Sequence, residues 1–417
     1  MTIVGIRGFR DILPGDVERW QFIENTTRKI LEDFGFKEIK IPVLEKTELF
    51  ARSIGEDTDI VEKEMYSFLD RKGESLTLRP EATASVLRAY IEHNLYKEEP
   101  IKKLYSIGPM FRYERPQKGR YRQFYQINAE VLGVEDPKID VELMVMLLHL
   151  LKRLGVRRTD LSVNSLGCSR CRPQFRESLR SFFETRLDIL CPDCKRRLKT
   201  NPLRIMDCKM ETCTKVASDA PSILDFLCSE CLTHFDAVEE MLRTFEIPYV
   251  VNPHMVRGLD YYTRTAFEIS SSELGAQNAI AGGGRYDNLL KELGGPDIPG
   301  IGFAIGIERL ALLLEEREGL FRFPKVFVAA LGSEAQNDAF RLTTALRLKG
   351  IWVEMDYGDK SLKSQMRRAN KLKADFALIM GEQELKSGSA TLRDMKTGHQ
   401  EEIDLGKGMD ELIEKIG

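Results

Sequence analysis

The chain has 417 residues, of which 42% are hydrophobic and 30% are charged, and its formal net charge at pH 7 is −3. These values are typical of a globular protein of two to four domains, and they exclude a general polyelectrolyte, so a nucleic acid would have to bind at local basic patches. No stretch approaches the roughly 18 apolar residues of a membrane span, and the N-terminus lacks a signal-peptide pattern, so we expect a cytoplasmic protein without membrane contact.

The first part of the chain predicts helices and antiparallel strands. Apolar periodicity predicts helices over residues 16–35, with Asp16 as candidate N-cap, and over 81–94 and 140–154. Strand patterns cover 34–45, where Pro42 indicates an edge or a bulge, and then 101–115, 123–133, 256–270, 279–284 and 300–305, with a helix starting at Ile307. Because most of these strands follow one another directly, an α+β fold with an antiparallel sheet flanked by helices is favoured over a doubly wound parallel sheet.

The pattern changes twice along the chain. Residues 156–250 contain all the cysteines and are typical of a mainly helical insertion. After Pro324, strand and helix patterns alternate, which predicts a compact α/β domain. We therefore predict a core formed by residues 1–155 and 251–322, an insertion over 156–250, and a C-terminal domain over 325–417.

One predicted hairpin is rich in cationic and polar residues, MFRYERPQKGRYRQFYQINAE, residues 110–130. Alternation along a strand places Arg112 and Glu114 on one face of the first strand, and Phe124, Gln126, Asn128 and Glu130 on one face of the second. Guanidinium groups suit phosphate, whereas a carboxamide and a carboxylate suit an ammonium group or a ring N–H. The hairpin therefore predicts a site for an amino acid beside a nucleotide. For the loop at its tip alone, a solvated basic loop is the favoured explanation, whereas Gln126 and Glu130 on the strand favour burial with a partner.

Three further segments contain charged or aromatic residues in apolar surroundings: TLRPEATASVLRAY, VRGLDYYTRTAFEI and GIGFAIGIERLALLL. The first could be a charge pair at a helix entry, the second an amphipathic strand, and the third a snorkelling arginine or an anion-binding one. The residues concerned are Arg79 and Glu81, then Arg257, Asp260, Tyr261 and Tyr262, and finally Glu308 and Arg309.

The eight cysteines form four closely spaced pairs, three of them Cys-x2-Cys and one Cys-x4-Cys. Such pairs are half-sites for tetrahedral zinc, so four pairs could build two all-thiolate sites, with His234 as a possible substitute ligand. Burial as small apolar residues is the alternative, but it would not confine them to one region. The predicted metal ligands are Cys168, Cys171, Cys191, Cys194, Cys208, Cys213, Cys228 and Cys231.

Together these segments resemble class II aminoacyl-tRNA synthetases, and specifically the histidyl-tRNA synthetases. FRYERPQKGRYRQFYQ resembles the family's motif 2, GIGFAIGIERL its motif 3, and the Pro42 region its motif 1, which forms the dimer interface. VRGLDYYTRTAFE and AGGGRYDNLL resemble the signatures of the histidine-specific branch. The resemblance implies a class II catalytic core, a C-terminal anticodon-binding domain, and ligation of L-histidine to tRNA-His through histidyl-adenylate, with ATP and Mg²⁺.

The resemblance also implies roles for single residues. It implies phosphate binding by Arg112, Arg120, Arg257 and Arg309, with Glu114 also at the ATP, and catalytic roles for Arg112, Arg257 and Arg309. It implies contacts to histidine from Glu81, Thr83, Arg112, Gln126, Glu130, Arg257, Tyr261 and Tyr262, and to the tRNA acceptor stem from Arg115 and Gln117. The signatures do not include the cysteines, for which we expect structural Zn²⁺ in an insertion that contacts tRNA.

Three alternatives compete with this interpretation. A non-catalytic regulatory paralogue should lack phosphate-binding arginines and the C-terminal domain, both of which this sequence has. A synthetase of different specificity is disfavoured by residues 257–262 and 282–286, and a tRNA-binding module without catalysis leaves Arg309 unexplained. We therefore expect a homodimeric histidine–tRNA ligase whose partners are L-histidine, ATP and tRNA-His.

Overall fold

The computed structural model describes residues 2–56, 58–275, 278–314, 319–405 and 409–416, without the side chains of Gln383 and Leu385. The chain divides into two compact units, Met1–Glu316 and Arg317–Gly417. None of the described helices has the length and apolar character needed to cross a bilayer.

The first unit contains most of the secondary structure. In chain order its elements are α1 (Val17–Asp33), β1 (Lys37–Glu38), β2 (Leu44–Lys46), α2 (Thr47–Ile54), β3 (Tyr66–Leu69), β4 (Ser75–Leu78), α3 (Thr83–Glu92), β5 (Lys102–Phe111), β6 (Gln123–Leu132), α4 (Lys138–Leu154), β7 (Asp160–Ser165), α5 (Arg172–Glu184), α6 (Pro192–Thr200), α7 (Glu211–Ala217), α8 (Ser229–Thr244), β8 (Val250–Val251), β9 (Thr263–Ser270), β10 (Ala279–Arg285), α9 (Leu289–Glu292), β11 (Gly300–Gly306) and α10 (Ile307–Leu313). Short π- or 3₁₀-helical turns cover Ile60–Glu64, Leu95–Lys97, Leu187–Ile189, Pro202–Ile205, Ile223–Phe226 and Ser272–Leu274.

Eight strands form the main sheet, in the order β1-β5-β6-β11-β10-β9-β7-β8. All neighbouring pairs are antiparallel except the two edge pairs, β1 with β5 and β7 with β8. Alternate residues of β6, including Ile127, Ala129 and Val131, pack in the main core with α1 and α4, so the other face of the sheet is left for polar side chains. The α+β fold class with an antiparallel sheet flanked by helices is confirmed.

Several predicted boundaries were wrong in ways that matter for the site. The strand predicted over 101–115 ends at Phe111, so Arg112 and Glu114 lie in the following loop rather than on one strand face. The strand predicted over 256–270 begins at Thr263, because residues 257–262 form an irregular segment. Asp16 accepts no capping hydrogen bond at the start of α1 and is paired with Arg10 instead.

The region predicted as the insertion, 156–250, begins with a strand of the main sheet, β7, which pairs with β9. Its helices α5 to α7 have a core of their own that includes Phe175, Leu179 and Phe183, whereas α8 packs into the main core through Phe235, Val238 and Leu242. The point at which the chain leaves β7 is hydrogen-bonded to the point at which it enters β9. The Leu166 N–H donates to the Arg264 carbonyl (2.6 Å), and the Arg264 N–H donates to the Gly167 carbonyl (3.0 Å).

A fully buried ion pair joins β10 to α4 within the core, and α8 contacts it through His234. Arg285 and Asp140 both have no exposed side-chain surface, and Arg285 Nη2 lies 2.7 Å from Asp140 Oδ1. The same guanidinium donates to the carbonyls of Val134, Glu135 and Asp136. His234 on α8 lies 2.8 Å from Asp140 Oδ2, so it is not the substitute zinc ligand that its spacing from the cysteines allowed.

The second unit is an α/β domain whose strand–helix alternation agrees with the sequence pattern. Its elements are β12 (Val326–Ala330), α11 (Ser333–Leu348), β13 (Val353–Met355), α12 (Leu362–Lys371), β14 (Phe376–Met380), α13 (Glu382–Ser387), β15 (Ser389–Asp394), β16 (Gln400–Asp404) and α14 (Met409–Ile416). The sheet order is β13-β12-β14-β15-β16, with β12, β13 and β14 parallel and the last two strands antiparallel.

Candidate active site

A pocket of about 1020 Å³ opens on the polar face of the main sheet. Ten of the residues predicted for histidine, ATP or catalysis line it, and they come from loops, strands and helices far apart in sequence. They are Glu81, Thr83, Arg112, Glu114, Arg120, Gln126, Arg257, Tyr261, Tyr262 and Arg309.

The pocket is rich in guanidinium groups, each held from behind by a protein acceptor. Arg112 donates through Nε to the Pro80 carbonyl (2.8 Å), and Arg309 through Nη1 to the Ala279 carbonyl (2.5 Å). Arg257 is paired with Glu268 (2.6 Å) and Arg120 with Glu114 (3.0 Å). Four cations thus meet at one cavity, an arrangement that favours a polyanionic ligand.

The electrostatics of Arg309 support this interpretation. Burial, together with the nearby charge of Arg120, lowers the pKa of Arg309 below its ordinary value. The preceding residue, Glu308, fixes the start of α10 by accepting the Tyr125 N–H with both carboxylate oxygens (2.9 and 3.1 Å), and burial raises its pKa to about 7. An anion beside Arg309 would relieve the unfavourable proximity of the two arginines.

Arg257 can lie over the sheet only because β10 has a glycine there. A Cβ atom at Gly282 would lie 1.9 Å from Arg257 Nη2, which no real contact allows. Burial lowers the pKa of Arg257, but Tyr262 and Glu268 raise it by more, so that the guanidinium stays charged. Gly282 of the AGGGR run therefore makes room for the Arg257 guanidinium, which the sequence pattern alone did not reveal.

A buried acidic residue, Glu81, lines the pocket at the start of α3. Glu81 is 3% exposed and accepts the first two amides of α3, from Thr83 (2.7 Å) and Ala84 (2.8 Å), while burial raises its pKa. The predicted helix-entry charge pair does not form, because Arg79 donates to the carbonyls of Ile41, Pro42 and Pro109 instead.

Glu130 is 1% exposed and lies behind the pocket wall rather than in it. Its carboxyl oxygens accept from Thr83 Oγ1 (2.7 Å) and from the Tyr286 hydroxyl (2.5 Å), both of which belong to lining residues. Burial raises its pKa to about 8. A Cβ at Gly302 would lie 1.8 Å from Glu130 Oε2, so this glycine makes the room for the carboxyl group.

Unpartnered polar atoms mark where a ligand is expected. Among the described residues, Gln126 Oε1, Asn128 Oδ1 and Arg257 Nε are buried without a hydrogen-bond partner, and all three residues line the pocket. Leaving buried polar atoms without a hydrogen-bond partner costs free energy unless a ligand supplies one. Gln126 and Asn128 share a strand face, so their carbonyl oxygens together suit the donors of an ammonium group.

Sequence reasoning did not assign roles to two of these lining residues. Asn128 was placed on the correct strand face, but its missing partner is visible only in three dimensions. Tyr286 packs edge-on against Tyr261, with ring centroids 5.8 Å apart, and Tyr261 packs against Tyr262 at 4.7 Å. The signal for Tyr286 was its place in the AGGGRYDNLL segment, two residues after the glycine run.

The residues predicted for the tRNA acceptor stem lie outside the pocket. Arg115 and Gln117 are exposed in the loop between β5 and β6, where Gln117 and Arg120 form a tight turn. Gln117 lines a separate surface depression of about 830 Å³, which Arg309 also borders.

The eight cysteines form two clusters, Cys168/Cys171/Cys228/Cys231 and Cys191/Cys194/Cys208/Cys213, in each of which the Sγ atoms lie within 4.8 Å of one another. The first and fourth cysteine pairs along the chain thus form one cluster, the outer cluster, and the second and third pairs form the other, the inner cluster. The closest Sγ–Sγ distances are 3.7 to 3.9 Å, near the value of about 3.8 Å expected for tetrahedral Zn–S bonds of about 2.3 Å. Backbone amides also donate to Sγ atoms, as from Cys228 to Cys171 and from Cys191 to Cys213 (both 3.2 Å). Both donor sets fit zinc.

Comparison with known proteins was made for the whole chain. The family model described as histidyl-tRNA synthetase matches residues 8–171 and 203–310, and one described as an anticodon binding domain matches 325–415. A histidine–tRNA ligase of Geobacter metallireducens is 58% identical over 96% of this chain and 97% of its own length, and one of Syntrophotalea carbinolica is 56% identical over 100% and 99%. A crystal structure of apo histidyl-tRNA synthetase from S. aureus superposes with a TM-score of 0.83 at 38% identity and covers both chains completely.

Proposed function

This chain belongs to the histidyl-tRNA synthetase family, and we propose that the pocket on its main sheet is where it activates histidine with ATP before transfer to tRNA-His. The observation that carries the assignment is the meeting of four guanidinium groups with the unpartnered acceptors of Gln126 and Asn128 in one cavity. A triphosphate and an amino acid are the ligands that satisfy both sets of groups.

The first step joins the histidine carboxylate to the α-phosphorus of ATP and expels pyrophosphate. Such a reaction requires in-line positioning and charge neutralisation more than proton transfer. We assign Arg112 and Arg257 to the α-phosphate, and Arg120 and Arg309 to the β- and γ-phosphates. ATP brings Mg²⁺, for which the carboxylate of Glu114 on the pocket wall is a suitable oxygen ligand.

Histidine would be held at both ends. Its α-amino group suits Glu81, the Thr83 hydroxyl and the Gln126 carboxamide oxygen, and Asn128 adds a second unpartnered acceptor. In the second step, a ribose hydroxyl of the terminal adenosine attacks the carbonyl carbon of the adenylate and AMP leaves. We place Arg115 and Gln117 at the acceptor stem, since both are exposed in the loop between β5 and β6 and Gln117 lines the depression that Arg309 also borders.

The imidazole ring would be recognised by Glu130 and Tyr262, with Tyr261 and Tyr286 lining the cavity. The pKa of Glu130 is about 8, close to the ordinary value of about 6.5 for imidazole, and the Thr83 and Tyr286 hydroxyls that bond to Glu130 line the pocket, so a proton could pass between the carboxyl group and the ring through one of them. Phenylalanine offers no ring nitrogen to bond in this cavity, and a site built to hydrogen-bond its substrate rejects an analogue without that group by about 10⁴–10⁵-fold.

The two thiolate clusters we assign to one structural Zn²⁺ each. The alternative, buried apolar cysteines, would not bring four Sγ atoms together twice at tetrahedral spacing. Metal analysis of the purified protein should find about two zinc ions per chain, and a metal-free preparation of full stability and activity would disprove this assignment.

We also propose a cytoplasmic homodimer. The small sheet β2-β4-β3 exposes apolar side chains, including Leu44, Phe68 and Leu69, of which Leu69 is 70% exposed, and the Pro42 region that resembles motif 1 leads into it. The molar mass from light scattering tests this proposal. We expect a dimer for the wild type and a more weakly associated dimer for Leu69→Glu, and a monomeric wild type would contradict the proposal.

The decisive functional experiment is ATP–pyrophosphate exchange with each of the twenty amino acids, followed by charging of tRNA-His. We expect exchange with histidine alone and its transfer to tRNA-His. Exchange driven equally by another amino acid, or none with any, would refute the assignment.

A further inference from the structure

The segment 257–262 carries three of the proposed substrate-binding residues, Arg257, Tyr261 and Tyr262, yet it belongs to no strand or helix. A segment without regular backbone pairing must be fixed by other contacts if its side chains are to be held in place. Its polar anchors come mainly from the insertion, with two from the core: the Asp260 N–H donates to the Ile54 carbonyl at 3.1 Å, and Arg257 is paired with Glu268 at 2.6 Å.

Arg204 anchors the beginning and middle of the segment. It is 7% exposed, and it donates through Nη1 to the Arg257 carbonyl (2.8 Å) and through Nη2 to Asp260 Oδ1 (2.5 Å). Asn201 adds a bond from Nδ2 to Asp260 Oδ2 (3.2 Å). A Cβ at Gly55 would lie 2.7 Å from Asp260 Oδ2, so a glycine at this position leaves room for the aspartate.

Arg172 anchors the end of the segment. Its Nη2 donates to the Tyr262 carbonyl and its Nε to the Leu166 carbonyl (3.2 Å). Together with Arg204 it holds the first and last carbonyl groups of the segment, so the insertion grips both ends.

Each of these arginines lies next to one thiolate cluster. Arg172 directly follows Cys171, a member of the outer cluster. Arg204 lies between Cys194 and Cys208, members of the inner cluster, in the 3₁₀ turn that follows α6. With nine residues in α6 and seven in α7, these helices are shorter than the roughly 12–15 residues that an isolated helix needs, so their ends require an external constraint.

We propose that the two thiolate clusters, with zinc bound, position Arg172 and Arg204 so that they clamp the segment 257–262, and that the insertion thereby sets the rate of histidine activation. Arg172, Asn201 and Arg204 are positioning residues in this scheme, since they reach the segment rather than the substrates. The inference rests on the proposed function and on the proposed zinc sites. The experiments below test the clamp, the zinc sites and the proposed function separately.

The first arm removes an anchor and leaves the cysteines intact. Arg204→Ala should keep about two zinc ions per chain, speed hydrogen exchange of the amides of 257–262, and lower kcat of pyrophosphate exchange by about 10- to 100-fold, as expected for a reacting group displaced by about 1 Å. Arg196→Ala is the matched control, because Arg196 joins α6 to Glu62 of the core by two exposed bonds (2.5 and 2.9 Å) that do not reach the segment. It should behave as the wild type in all three measurements.

The second arm removes the inner cluster. The double variant Cys194→Ser/Cys208→Ser should lose one zinc ion and reproduce the fast exchange and low kcat of Arg204→Ala. Adding Arg204→Ala to it should lower kcat little further, because both changes release the same anchor. At the other end, Arg172→Ala should raise the KM for histidine more than it lowers kcat, since it frees Tyr262.

The outcomes discriminate among the proposals. If Arg204→Ala has a kcat within twofold of the wild type and unchanged amide protection, the clamp is disproved. If the serine variant loses its zinc but keeps the segment protected and active, or if the wild type holds no metal, the link to the clusters is disproved even where Arg204→Ala is impaired. A wild-type protein without histidine-dependent exchange would count against the proposed function instead, and the hydrogen-exchange comparison would still decide on the clamp.

Discussion

Replacing Gly282 by alanine provides a sharp test of the role assigned to Arg257. The added Cβ would lie 1.9 Å from Arg257 Nη2, 2.5 Å from Cζ and 2.8 Å from Nη1, whereas real Cβ contacts essentially never fall below 3.0 Å. The guanidinium must therefore move by about 1 Å, which at a reacting centre costs on the order of 10²-fold in rate. Gly282 has no positive φ, so the backbone itself tolerates alanine and the fold should survive.

The assay is ATP–pyrophosphate exchange in a double-mutant cycle. Arg257→Ala alone should lose about 10²-fold or more, as for removal of an oxyanion donor. If Gly282→Ala acts only through Arg257, then adding it to Arg257→Ala should cost almost nothing further, and the two losses will be strongly non-additive. Gly258→Ala is the control, since a Cβ there would meet nothing within 4 Å.

Two results would refute this reasoning. Full exchange activity in a folded Gly282→Ala protein would mean that the position of Arg257 is not critical. Losses that simply multiply in the double variant would mean that Gly282 acts on something other than Arg257.

Three other predictions concern single residues: Glu130, Arg285 and Arg115. Glu130→Gln should weaken binding of histidine far more than that of ATP. The same variant tests the pKa of Glu130, which is about 8 in the folded protein against 4.5 in the unfolded chain, so that the folded protein keeps a proton that the unfolded chain releases. The stability of the wild type should therefore fall between pH 4.5 and 8 relative to that of the variant, by on the order of 3 kcal/mol at pH 7. Thermal unfolding at pH 5 and 8 measures this, and parallel pH profiles would contradict it. Arg285→Met should lower the free energy of unfolding by about 3–5 kcal/mol, because it leaves Asp140 charged and buried, whereas Arg170→Met, at an exposed pair, should change it by less than about 1 kcal/mol in denaturant titrations. Arg115→Ala should lower kcat/KM for charging of tRNA-His while pyrophosphate exchange stays normal; an equal loss in both would move Arg115 into the activation step.

Much of the fold could be predicted because its elements are determined locally. The amphipathic helices α1 and α4 and the hairpin of β5 and β6 show clear periodicity, and their observed bounds differ by only a few residues from those expected. The segment 257–262 was mistaken for a strand because Leu259 and Tyr261 flank the charged Asp260, an alternation typical of an amphipathic strand. Its actual path is imposed by Arg172 and Arg204, which no local pattern reveals.

The candidate site shows the same division between local and tertiary information. Charged residues such as Arg112 and Arg309 stand out in the sequence because a charge in apolar surroundings needs a partner. Asn128 does not stand out, because its importance lies in having no protein partner within the described residues. The pairing of the cysteines was likewise open, since four half-sites can combine in three ways and spacing does not choose among them.

The bonds between Leu166, Gly167 and Arg264 have a consequence for how this family can vary. The chain leaves β7 and enters β9 at points that are hydrogen-bonded to each other, and α5 to α7 between them have a core separate from the main one, whereas β8 and α8 belong to the main sheet and the main core. Segments grafted at such a closed stem can be lengthened, shortened or exchanged without rebuilding the scaffold. The family model skips residues 172–202, which include Cys191 and Cys194, as expected if the segment inserted between β7 and β9 differs among members of the family.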